Sequence, residues 1–241
     1  MFGPQGPTLR ELARQALSSV PRGYDLLAPK FEHTPFRTPE AVLAPAIAAL
    51  GPAASLGSAL DLGCGTGAAL RHLRPRCRER AVGVDLSAGM LAEARRQLAE
   101  VPGTAALELV QADMLQLPAG LHGQFDAVTS FGAFGHVLEA DEPRLVDAVA
   151  QALRPGGIFL FVTGEPPSPW RPATWVARGF NAAMRVRNAV WSPPFVMYYL
   201  TFLLPRARAL LEARGFSLEV RRGLFPEPFG RLVLVLATRG P

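Results

Sequence analysis

Three alternating glycines between two acids are the first residues in this chain whose types and spacing could do chemistry. In Ala59-Leu-Asp61-Leu-Gly63-Cys-Gly65-Thr-Gly67 an apolar run passes directly into the glycines and then into a helical pattern. Glycines at such a turn permit positive φ and let a ligand approach the backbone with no Cβ in the way. The turn also falls at the carboxyl edge of a sheet, where open α/β folds bind ligands. Asp85 ends the next apolar run, 20 residues after Gly65, where a carboxylate can accept both hydroxyls of a ribose. Asp61, just ahead of the glycines, would repel a dinucleotide pyrophosphate and suits a ligand carrying an amino group. The two acids together argue against NAD or FAD and for a cationic nucleoside.

The elements that must position these residues are legible around them. Thr8-Leu-Arg-Glu11 has capping-box spacing and opens a helix over about 9–19, closed by Pro21. Thr38-Pro39-Glu40 opens a second, with Thr38 as cap and Pro39 in the first turn, Pro45 as a kink site and Gly51-Pro52 as the stop. Apolar runs at about 58–62, 80–85, 106–111, 124–130 and 157–163 read as buried strands. Helical patterns fill 66–74, 88–100 (capped by Ser87), 141–153 and 206–214, and two more strands follow near 216–222 and 230–238. Strand–helix alternation with continuous apolar strands implies a parallel sheet covered on both faces. The last two strands are joined by a loop of seven residues containing Pro226 and Pro228, too short for a parallel crossover, so the last strand is expected to run antiparallel. The reading is one doubly wound α/β unit over 53–241, an N-terminal helical extension over 1–52, and an insertion at about 165–205.

Composition sets bounds. The chain has 241 residues, 49% of them hydrophobic, which excludes a disordered polymer, and its two cysteines exclude a disulfide scaffold. Cys64 and Cys77 fit a reducing compartment, MFGPQGPTLRELARQ lacks the basic-then-apolar pattern of a secretory signal, and a soluble, cytoplasmic protein is expected. The net charge of +5 is uneven: residues 171–241 hold 11 Arg against Glu212, Glu219 and Glu227, whereas residues 1–170 are slightly acidic.

On these residues the chain resembles a class I S-adenosylmethionine-dependent methyltransferase. Asp61-Leu-Gly-Cys-Gly-Thr-Gly67 is similar to that family's signature loop, and Val84-Asp85-Leu-Ser-Ala-Gly-Met90-Leu to its second-strand acid and helix start. Gln111-Ala-Asp113-Met114 is similar to its adenine-recognising stretch, Phe125-Asp-Ala-Val-Thr-Ser130 to its fourth strand, and Leu153-Arg-Pro-Gly-Gly157 to the turn before strand five. The resemblance covers about 57–163. It implies a Rossmann-like methyltransferase fold with a seven-stranded sheet in the order 3-2-1-4-5-7-6. It also implies S-adenosylmethionine as cofactor, S-adenosylhomocysteine as product, and roles residue by residue. Gly63 and Gly65 would contact the methionine and ribose parts, Asp85 the ribose hydroxyls, and Leu86 and Met90 the adenine face. Asp113 would accept from the adenine amine and the Met114 backbone N–H would donate.

The acceptor side is less determined. Ser130-Phe131-Gly-Ala-Phe134-Gly-His136 is not the Asn/Asp-Pro-Pro-aromatic motif of amino-methylating DNA and protein enzymes, and neither cysteine suits a cytosine-C5 nucleophile. His136 resembles the histidine of small-molecule methyltransferases at this place and has the titration range of a general base. Phe131 and Phe134 are pocket-wall candidates. Tyr24-Asp25-Leu-Leu-Ala-Pro-Lys-Phe-Glu-His33 is similar to the lid of such enzymes, with Tyr24 as the closing aromatic and Arg37 a candidate partner for the methionine carboxylate. The 165–205 insertion holds Trp170, Trp175 and Trp191 with Arg171, Arg178, Arg185 and Arg187. An aromatic lining flanked by arginines suits a small apolar or aromatic acceptor bearing an anionic group; contact with a membrane surface and a stabilising helical pair are the other readings of that segment. No acidic triad for Mg²⁺ and no Cys/His cluster for zinc is evident. The rival functions are an RNA methyltransferase using the basic C-terminal region and a non-catalytic cofactor-fold scaffold.

Overall fold

A computed structural model describes residues 5–241; the first four residues of the stretch read above for a secretory signal lie outside them. Seven strands form one sheet: β1 Leu56–Leu62, β2 Cys77–Asp85, β3 Ala106–Gln111, β4 Phe125–Ser130, β5 Leu153–Gly164, β6 Phe216–Arg221 and β7 Leu232–Arg239. Their order is β3-β2-β1-β4-β5-β7-β6, as the resemblance implied. β1 to β5 pair in parallel, and β7 runs antiparallel to both β5 and β6.

Eight helices accompany it among the described residues: α1 Leu9–Ala16, α2 Val20–Leu27, α3 Glu40–Ala48, α4 Ala68–Leu73, α5 Ala88–Leu98, α6 Glu142–Ala152, α7 Pro172–Val190 and α8 Leu204–Glu212. Successive strand side chains point to opposite faces, which splits the core in two. Leu60, Leu62, Val82 and Val84 pack with Leu145 and Val149 of α6 and Ala207 and Leu211 of α8. Ala59 and Ala81 pack on the other face with Val42 and Ile47 of α3, Leu70 of α4 and Leu98 of α5.

Four local readings change. The Thr8–Glu11 capping box forms, but α1 stops at Ala16, where the Ser18 hydroxyl bonds back to the Arg14 carbonyl. Pro21 does not close α1; it lies in the first turn of α2, where a missing N–H leaves no bond unmade. The insertion holds one long helix, α7, rather than a helical pair, because Pro193 and Pro194 interrupt the chain after it. The expected strand over 157–163 starts at Leu153, with a register shift between Phe125 and Ala127 on β4 and Gly156 at φ 76°. No helix among the described residues is long and apolar enough to cross a membrane.

Candidate active site

β1 lies between β2 and β4, so the connections leaving β1 and β4 diverge and open a crevice at their carboxyl ends. The glycine turn follows β1 and the Phe131–Val137 segment follows β4, so both arrive at this crevice. Strand register sets the rest. Leu62 pairs with Val84, which brings Gly65 beside Asp85, and the Gly65 N–H donates to the Asp85 carboxylate at 2.8 Å. Asp61 pairs with Thr129, whose hydroxyl donates to the Asp61 carboxylate at 2.7 Å.

The cavity is lined on the sheet side by Asp61, Gly63, Gly65, Asp85 and Phe131, and on its apolar wall by Val84, Leu86, Met90, Ala112 and Met114. Gly63 has φ 67°, and a Cβ there would meet the Ala133 Cβ at 2.7 Å; around Gly65 a Cβ would meet nothing within 4 Å. The first glycine is required by its neighbour, the second leaves room for a ligand. Of the cofactor residues expected from the sequence, Asp113 alone does not line the cavity; its carboxylate accepts from the Leu115 N–H at 2.8 Å, between the lining residues Ala112 and Met114.

Burial dominates the electrostatics. Asp61 is pushed up to about 7 by burial, with the Thr129 hydrogen bond acting against it and Asp85 reinforcing it. Burial also raises Asp85, opposed by the Ser87 and Gly65 amides. An acid pair poorly solvated and close together is a ready receptor for a cation. Cys64 is raised well above its usual range and Cys77 to about 11, both by burial, so neither is a reactive thiolate.

The N-terminal segment roofs this cavity. Val20, Tyr24, Phe31 and Phe36 line it from above. Two carboxylates that sequence reasoning assigned no role fasten the roof. Asp25 accepts from the Ser87 hydroxyl at 2.6 Å and the Gly89 N–H at 2.8 Å, and a Cβ on Gly89 would come within 2.9 Å of the Asp25 Cα. Glu32 accepts from the Thr66 hydroxyl at 2.6 Å and lies 3.4 Å from Arg37, so Arg37 is paired within the roof while lining the cavity. Their only sequence signal was membership of the lid-like segment and of the glycine turn.

His136 joins three parts of the chain. Its Nδ1 lies 2.6 Å from the Val196 carbonyl, an acceptor only, so Nδ1 carries the proton. Burial lowers the ring below its usual range, with the Val196 carbonyl and Asp85 acting in the opposite direction. The neutral ring therefore presents an unprotonated Nε2, to which Tyr24 Oη donates at 2.7 Å. Burial, reinforced by Asp85, raises the Tyr24 phenol, which stays protonated.

A second cleft of about 860 Å³ opens on the far side of this pair and shares Tyr24, Phe36, Gly132 and His136 with the first. Arg171, Thr174, Tyr198, Arg222 and Arg231 are among its walls. Phe134 touches its rim but packs mainly with Phe161 and Phe202 in the core. Trp170, Trp175, Trp191, Arg178, Arg185 and Arg187 line neither space.

Comparison with known proteins agrees with this geometry. A family model described as a methyltransferase domain matches residues 59–157. The chain is 43% identical over 115 residues to the malonyl-[acyl-carrier protein] O-methyltransferase of Enterobacter lignolyticus, covering 46% of this chain and 41% of that one. It is 37% identical over 112 residues to the trans-aconitate 2-methyltransferase of Deinococcus radiodurans, covering 46% and 39%. The match thus spans about two fifths of the length of these curated relatives. Among solved structures, one described as a DhpI-SAH complex superposes with a TM-score of 0.65 at 22% identity, over 97% of this chain and all of that one. The YcgJ protein of Bacillus subtilis superposes with a TM-score of 0.60 at 18% identity, over 83% and 98%. The match to a methyltransferase-domain model over residues 59–157 falls on the glycine turn and the central strands, and the sheet order around it is that of a Rossmann-like methyltransferase fold.

Proposed function

We propose that the protein is an S-adenosylmethionine-dependent methyltransferase acting on a small organic acceptor at O, N or C. The observation that carries this reading is the junction of two spaces at one hydrogen-bonded pair: the acid-lined cavity and the wider cleft meet at Tyr24 and His136. The residues of the cavity fit the cofactor. Asp85 suits the ribose hydroxyls, Asp61 the cationic amino group, and Leu86, Met90 and Met114 an apolar ring. When bound, the cofactor supplies a methyl group activated by a sulfonium for in-line displacement.

The chain's own contribution is alignment, exclusion of water and one proton position. Tyr24 closes the roof over the cavity. His136 Nε2, held unprotonated by the Val196 carbonyl on the other ring nitrogen, is the general base for a hydroxyl or amine acceptor. Such an acceptor takes the place of the Tyr24 hydroxyl on Nε2. Arg171 and Arg231 supply the cationic wall for an anionic group on the acceptor; neither has an ion pair among the described residues, whereas Arg222 pairs with Glu165 at 2.6 Å. Both curated relatives named above are, by name, methyltransferases of acid-bearing molecules, which supports the same acceptor class.

The RNA reading has less support. Arg206, Arg208, Arg214, Arg221 and Arg222 of the basic end are each paired with a carboxylate, which leaves that charge less available to phosphates. Calorimetric titration with S-adenosylmethionine and S-adenosylhomocysteine tests the cofactor assignment. Binding by the wild type with loss in Asp85→Ala is expected, and absence of binding by the intact protein overturns the proposal.

A further inference from the structure

α7 carries an apolar stripe on its solvent-facing side, besides Ala177, Phe180 and Met184 on its half-buried side. Of its nineteen residues only Thr174 is buried. By the 3.6-residue period Trp175, Val176, Ala183, Val186 and Val190 share one outward side of the helix, and the exposures of Trp175, Val176, Val186 and Val190 are 61%, 72%, 64% and 77%. Trp170, 91% exposed, precedes the helix, and exposed Trp191 follows it, so an indole stands at each end. Arg178 and Arg185 run along one flank of the stripe, the Arg178 guanidinium lying 5.2 Å from the Trp175 ring. No acidic residue occurs from 166 to 211.

We infer that this face docks on an anionic lipid bilayer, with α7 lying in the plane of the headgroups. An apolar stripe bordered by arginine, with indoles at both ends, matches the interface of a membrane, where aromatic rings sit at headgroup level and cations meet anionic lipids. The charge pattern decides against a second copy of the chain as occupant. Two such faces together would set arginine against arginine with no carboxylate from either segment. Ala173 and Thr174 of α7, with Arg171 just before it, line the second cleft, so docking holds the mouth of that cleft beside the lipid. The docking stands independently of the methyltransferase reading.

All three tryptophans of the chain lie in or beside this face, so intrinsic fluorescence reports on it directly. The test is flotation and tryptophan emission with phosphatidylcholine vesicles, with and without phosphatidylglycerol. Co-flotation and a blue shift with the anionic vesicles are expected. Both fall about tenfold or more in apparent affinity in Val176→Asp/Val186→Asp and in Arg178→Glu/Arg185→Glu, while far-UV circular dichroism and cofactor binding stay as in the wild type. No binding to anionic vesicles, equal binding by the Val176→Asp/Val186→Asp variant, or a lipid-free dimer that shields the tryptophans would each overturn the inference.

Discussion

The two spaces that meet at His136 are built in opposite ways. The floor of the first cavity is assembled from residues at the ends of adjacent strands, placed by ladder register: Gly65 against Asp85, and Asp61 against Thr129. The cleft beyond it is held by contacts between distant elements. Tyr24 reaches His136 from the N-terminal roof, His136 reaches Val196, and the Tyr198 N–H donates to the Gly135 carbonyl at 2.8 Å. A site set by strand register tolerates little variation, because a slip in register moves every side chain to the other face. A site set by an insertion can be rebuilt without disturbing the sheet, which is how one fold accepts many methyl acceptors.

Substitutions on either side should separate the two. The largest effect is expected for His136→Ala. S-adenosylhomocysteine production with an accepted substrate should fall by roughly 10²- to 10⁴-fold in kcat, with cofactor Kd within about threefold of wild type. A parallel loss of cofactor affinity would show that His136 serves to hold the cofactor and not to take the acceptor's proton. In the wild type, the acid limb of the kcat profile should lie below pH ~6.5, because burial lowers the ring.

Asp85→Ala should weaken cofactor binding about 100-fold by calorimetry, the loss of two hydrogen bonds to a carboxylate. Any change in acceptor KM should be secondary.

Asp61 gives a prediction with a sign. The folded chain keeps a proton there up to about pH 7, whereas an unfolded aspartate releases it near ~3.9. This group's contribution to stability therefore falls as pH rises through that window. Without ligand, Asp61→Asn should melt about 5 °C above wild type at pH 8, with the difference shrinking toward pH 5. Cofactor affinity of the wild type should rise about tenfold between pH 6 and 8, and that slope should vanish in Asp61→Asn.

The smallest effect is expected for Arg171→Ala, an exposed cation on the cleft wall. Acceptor KM should rise about threefold for an anionic substrate and stay unchanged for a neutral one, with cofactor Kd unaltered. Equal effects on both substrates would remove the charge-recognition role.

Much of the crevice around the glycine turn was readable from the chain alone, since it consists of short segments whose conformation depends on local pattern. The three alternating glycines and the Ser87 cap, which accepts from the Met90 N–H at 3.0 Å, are spacings of a few residues, and Asp85 is marked by closing the next apolar run. Asp113 lies between two residues that line the cavity, and one of its carboxylate oxygens accepts from the Leu115 N–H, a turn bond that spacing alone does not reveal. The end of α1 was missed for a similar reason, because Ser18 could have continued the helix or bonded back to it.

By itself the sequence determined the alternating sheet, the glycine turn with its two acids and the uneven charge, because each is carried by residue types along the chain and needs no contact between distant surfaces. Only the tertiary structure decided that Asp25 and Glu32 fasten the roof, that the Val196 carbonyl sets which nitrogen of His136 is free, and that α7 leaves an apolar stripe exposed. Those outcomes depend on which distant surfaces meet, and an amphipathic pattern reads the same whether its apolar face is covered by protein or left exposed.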